Sequence, residues 1–136
     1  EAKEIMKEVG DVLWYVAMTR QELQLPPVEF PEELHKLDDT DVYRLSPSYL
    51  LQQAGIINGQ VKKYFRDDDY SKPFPEKRKE FCHTALEQIL IGLQNLVTYI
   101  EGKELNQSLI SIAKQNVEKL AKRKAENKIH GDGDNR

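Results

Sequence analysis

The stretch Lys7-Glu8-Val9-Gly10-Asp11-Val12-Leu13-Trp14-Tyr15-Val16-Ala17 decides the fold class. With Ile5 before it, its apolar residues Val9, Val12, Leu13, Val16 and Ala17 recur with a period near 3.6, which predicts an amphipathic helix from Glu1 to about Gln24. Pro26-Pro27 ends it, because proline lacks an amide hydrogen and clashes with the preceding turn. Residues 25–46 read as irregular, with a short helical turn at 32–37. Ser46-Pro47 has the form of an N-cap followed by proline at the first helical position, so a second helix is predicted to about Arg66, weakened by Gly55 and Gly59. A loop from Asp67 to Pro75 precedes a third helix over about 75–101, closed by Gly102 as a C′ glycine. Asn106 is the expected cap of a fourth helix reaching about Glu126, with Leu109, Ile112, Ala113, Val117 and Leu120 on its apolar face. No alternating apolar strand is visible, and the prediction is an all-α bundle of four main helices.

The chain has 136 residues, 39% hydrophobic and 32% charged, with 7 Gly and 6 Pro, which suits one helix-rich domain and excludes low-complexity classes. Its formal charge of -3 argues against a nucleic-acid partner, since binding through counterion release needs a basic surface. A single cysteine, Cys82, forms no internal disulfide, which favours a reducing compartment; the residue itself reads as a small core or surface position. Apolar runs such as Ile89-Leu90-Ile91 fall far short of the roughly 20 residues that cross a bilayer, so no membrane partner is expected. Because the chain opens on Glu1 inside a helix and without Met, it is expected to be a fragment of a longer product.

Glu8 and Asp11, three residues apart, project from one side of the first helix. Such a pair suits Mg²⁺, a hard cation that takes oxygen ligands; the same spacing also occurs on ordinary solvated faces. Gly10 between the acids weakens a helix by up to about 1 kcal/mol relative to Ala, which close packing or ligand approach at that point would explain. On the fourth helix Asn116, Lys119 and Arg123 share a face, where Lys and Arg could hold phosphate; a solvated basic stripe near a helix C-terminus is the competing reading. Trp14 and Tyr15 are core aromatics or walls of a base pocket, with at least one expected in the core. His130 has no partner at metal-ligand spacing.

The stretch from Lys7 to Ala17 closely resembles the E-x-x-D helix of the MazG-like nucleoside triphosphate pyrophosphohydrolases. The helix from Ala113 to Lys124 and the glycine-containing tail Lys128–Arg136 are similar to that family's N-x-x-K-L-x-x-R helix and tail. The resemblance implies an all-α enzyme, cytoplasmic in nucleotide metabolism or house-cleaning, that cleaves NTP or dNTP to a monophosphate and pyrophosphate with Mg²⁺, or with Mn²⁺. It makes Glu8 and Asp11 metal ligands and catalytic acids, and Asn116, Lys119 and Arg123, with Trp14 and Tyr15, the substrate-binding set. The family's partner E-x-x-E helix should precede Glu8. Glu1 and Glu4 have the spacing but lie on the same continuous helix, Glu1 about 10 Å along the axis from Glu8, so the E-x-x-E helix is expected upstream of this chain.

Residues 1–24 then read as the end of a catalytic first half, 25–45 as a linker, and 46–136 as a degenerate second half, together one all-α domain. An offset of 84 positions lays Ile5, Val9, Val12, Leu13 and Val16 on Ile89, Leu93, Leu96, Val97 and Ile100, with Glu8 on Gly92 and Asp11 on Asn95. Ile57 and Gln60 stand where the second half's E-x-x-E acids would be, so that half keeps no metal site. The expected partner is a nucleoside triphosphate, with a homo-oligomer left open. The alternative is a catalytically inactive MazG-like module that binds nucleotides or mediates oligomerisation.

Overall fold

A computed structural model describes residues 1–30, 46–101 and 108–126. Among them the chain forms four helices and no strand: α1 (Ala2–Glu22), α2 (Pro47–Asp67), α3 (Glu76–Glu101) and α4 (Leu109–Ala125). The expected helical turn at 32–37, Gly102, Asn106 and the tail with His130 lie outside the described residues. Ser46 caps α2 as its sequence requires: its hydroxyl accepts from the Tyr49 N–H at 3.1 Å, with Pro47 in the first turn. The cap of α4 is Ser108 rather than the expected Asn106. Its hydroxyl accepts from the Ser111 N–H at 3.2 Å, and it stands directly before Leu109, the first apolar residue of the helix. Gly55 and Gly59 do not interrupt α2, and the space beside both is open.

Helix α3 is the centre of the bundle. It packs against α2 on one side and α1 and α4 on the other, while α1 and α4 also pair with each other; among the described residues α1 and α2 do not pair. One core joins Met6, Val9 and Leu13 to Leu90, Leu93, Val97, Leu109 and Ile112. A second gathers Leu25, Phe74, Cys82 and Leu86, with Ile57, Val61 and Tyr64 of α2 against them. Leu86 and Leu109 are each 1% exposed, and burial of one such side chain contributes about 1.5–3 kcal/mol. Cys82 is a core residue, and its burial pushes the thiol up to about 11, so it carries no thiolate at neutral pH.

The buried face of α1 is rotated from the expected stripe. Met6, Val9, Gly10 and Leu13 are buried, whereas Ile5 and Val12 are exposed. On α4 the buried face runs through Leu109, Ile112, Asn116 and Arg123, and Val117 is exposed. Both shifts have one cause. The two helices meet at a glycine notch, and the notch selects which residues turn inward.

A largely buried ion pair that no sequence feature marks closes the α2–α3 corner. Arg78 donates from Nε and Nη2 to the two carboxylate oxygens of Asp68 at 2.5 and 3.0 Å, and from Nη1 to Gln60 Oε1 at 3.2 Å. The bidentate guanidinium holds the Asp68 carboxyl below its usual range, and Asp68 raises Arg78 in turn. The Asp67-Asp68-Asp69 run gave no hint of which acid would turn inward.

Candidate functional site

Gly10 is a point of close approach between α1 and α4. A Cβ added there would lie 3.1 Å from Asn116 Cβ and 3.3 Å from its Cγ, so only glycine lets the asparagine seat without a shift. Asn116 Nδ2 donates to the Gly10 carbonyl at 3.0 Å, across 106 residues of sequence. The side chain is 7% exposed, and its buried Oδ1 accepts no hydrogen bond. Close packing is therefore the reason for the glycine between the two acids. The contact assigns Asn116 to the helix interface, with its amide nitrogen committed to the backbone of α1.

One turn further along α4, Lys119 Nζ lies 2.9 Å from Asp11 Oδ1. Both side chains are partly exposed, so the pair is accessible from solvent. The Gly10–Asn116 contact fixes the register of the two helices, and that register sets the ammonium on the carboxylate. Glu8, one turn before Asp11 on α1, is exposed. Arg123 is 5% exposed, so its guanidinium is not presented at the surface.

Trp14 and Tyr15 correct the expectation that at least one is core: they are 44% and 69% exposed. The buried face of α1 passes through positions 6, 9, 10 and 13, and Tyr15 falls on the opposite side. The structure thus joins Asp11, Lys119 and Asn116 through Gly10, places Glu8 beside them on the same helix, and leaves Trp14 and Tyr15 facing outward.

No group of three or more His, Cys, Asp or Glu side chains is assembled among the described residues. Mg²⁺ is commonly held by one or two carboxylates, with substrate phosphates and water completing an octahedron. Glu8 and Asp11 fit that demand in number and in exposure, because the bond to Lys119 engages Oδ1 and leaves Oδ2 outside it. On the offset of 84 positions, Gly92 and Asn95 are both buried and offer no such surface. No described helix is long and apolar enough to cross a membrane.

On the same face of α1 as Glu8 and Asp11, two turns beyond, Thr19 and Glu22 border a cleft of about 600 Å³ that α2 closes on its far side. No motif marks this cleft. The usable signal is spacing: positions 8, 11, 15, 19 and 22 share one helix face. Compared with protein-family models, curated proteins and solved structures, the chain matches none.

Proposed function

We propose that the protein is a Mg²⁺-dependent, cytoplasmic nucleoside triphosphate pyrophosphohydrolase, with Glu8 and Asp11 as metal ligands. The observation that supports this reading is the 2.9 Å contact between Asp11 and Lys119. Two residues that the MazG-like resemblance assigns to one site, 108 positions apart in sequence, meet at an accessible point of the helix pair. When bound, the ion offsets phosphate charge and lowers the pKa of an attacking water. Asp11 would hold it through Oδ2, with Oδ1 engaged by Lys119. Lys119 orients the carboxylate and adds a positive charge beside the phosphates, as a point charge free of fork geometry. Asn116 sets the register that makes this possible, and Glu8 supplies the second carboxylate from one turn away.

Pyrophosphate release from a panel of nucleoside triphosphates, in the full-length protein with Mg²⁺, tests the proposal. Asp11→Ala should lower turnover at least about 100-fold while far-ultraviolet circular dichroism stays unchanged, since a partly exposed acid contributes little to the fold. Absence of release by the unmodified protein, or full release by Asp11→Ala, overturns it.

A further inference from the structure

The cleft between the last turns of α1 and the flank of α2 lies apart from the acid pair, over the outer edge of the second core. Its walls are apolar and aromatic: Ile57, Val61, Phe65 and Phe74. Tyr64, also in the wall, is fixed by its hydroxyl against the carbonyl oxygens of Tyr70 and Lys72. It meets Phe74 edge-on at 5.3 Å and Phe65 at 5.2 Å, so this side is a rigid aromatic surface, with Phe65 itself largely exposed. The opposite rim is polar, made by Thr19, Glu22 and Gln24 of α1 and its exit, and among the described residues Glu22 is the only charged one of the lining. Gln24 sits in the left-handed backbone region at φ 54, which turns the chain sharply at the rim. A volume of about 600 Å³ lies within the range of small-molecule sites, which pair apolar walls with a few polar groups.

Glu8, Asp11, Tyr15, Thr19 and Glu22 follow one another at steps of three and four, so one face of α1 leads from the acid pair to this cleft. From Asp11 to Thr19 the helix advances about 12 Å. That is comparable to the reach from the bridging phosphates to the base of an extended nucleotide. Tyr15 is exposed between the two. We infer that the cleft takes the base of the nucleotide, stacked toward the Phe65 side, and that Glu22 selects bases carrying an exocyclic amino group. A carboxylate accepts from such an amino group and repels the carbonyl that uracil or thymine presents in its place. An anionic ligand would meet Glu22 unfavourably, and a purely aliphatic one would leave Thr19, Glu22 and Gln24 facing hydrocarbon. The inference rests on the proposed triphosphate site for its phosphate end.

Calorimetry with α,β-imido cytidine triphosphate, its uridine counterpart and pyrophosphate alone, each with Mg²⁺, tests it in the full-length protein. The cytidine analogue should bind about tenfold more tightly than the uridine one, and Glu22→Gln should remove that preference. Val61→Trp, which fills the cleft, should weaken the cytidine analogue at least tenfold and leave pyrophosphate affinity unchanged. Phe65→Ala, at a largely exposed position, carries the same expectation if Val61→Trp fails to fold. Unchanged analogue affinity in both cleft variants, with pyrophosphate still bound, overturns the cleft and leaves the hydrolase reading standing. Equal affinity for the two analogues overturns the role of Glu22. Failure of the unmodified protein to bind either pyrophosphate or analogue overturns both readings.

Discussion

Helices α1 and α3 bury matching positions at an offset of 84: Met6 and Leu90, Val9 and Leu93, Gly10 and Gln94, Leu13 and Val97. They differ in what surrounds them. Among the described residues, helix α3 has neighbours on both sides, whereas α1 meets only α3 and α4 and keeps one flank open. The same positions therefore carry opposite chemistry. Asp11 stands at the open flank with an ammonium beside it, while its counterpart Asn95 is 0% exposed. Position 10 and its counterpart both serve α4, in different ways. Gly10 gives way to Asn116, and Gln94 reaches out, its Oε1 accepting from the Leu109 N–H at 3.4 Å where that helix starts. The two helices turn corresponding positions inward, and the number of neighbours decides whether a polar residue beside them can be an acid.

The strongest way to break this comparison is to give α3 the acid of α1. Asn95→Asp should destabilise the fold by several kcal/mol, on the order of the penalty for a carboxylate taken out of water, read as a lower urea midpoint at neutral pH. A loss below about 1 kcal/mol would mean that the two helices are equivalent at this position after all.

Next in size is the glycine notch. Gly10→Ala brings a methyl against Asn116 and should cost about 1–3 kcal/mol, in the range of overpacked cores. In the same denaturation series Gly59→Ala, with open space around it, should stabilise by up to about 1 kcal/mol. Equal effects at the two sites would remove the notch as the determinant of α1–α4 register.

The α2–α3 corner sharpens the comparison through pH. Asp68 is held below the usual carboxylate range of about 3.9 by Arg78, so its contribution is fully present above that range and is lost as pH falls through the lower folded value. The stability difference between the unmodified protein and Asp68→Asn should thus be constant from neutral pH down to about 5 and shrink below about 4. Widening of the difference with acid would contradict the pairing. The smallest effect is expected at the accessible pair: Lys119→Met should change folding stability by no more than about 1 kcal/mol, since both partners are partly exposed. A larger loss would assign Lys119 to the fold rather than to the site.

Much of this arrangement is local and was legible in the chain. The 3.6 period of residues 5–17 specifies a helix wherever the segment packs, Pro26-Pro27 ends it within a few residues, and Ser46-Pro47 starts α2 with a hydroxyl cap. The common side of Glu8 and Asp11 follows from the same geometry, because backbone hydrogen bonds four residues apart set it. Which face of each helix turns inward is not local. The apolar stripe of α1 is broad enough to admit several rotations, and the close approach of Asn116 to Gly10 selects the one that exposes Ile5, Val12, Trp14 and Tyr15. The meeting of Asp11 with Lys119, the inward turn of Asp68 toward Arg78 and the cleft beside Thr19 and Glu22 likewise exist only once the helices are packed. Periodicity constrains a residue relative to its own helix, and only tertiary packing constrains one helix relative to another.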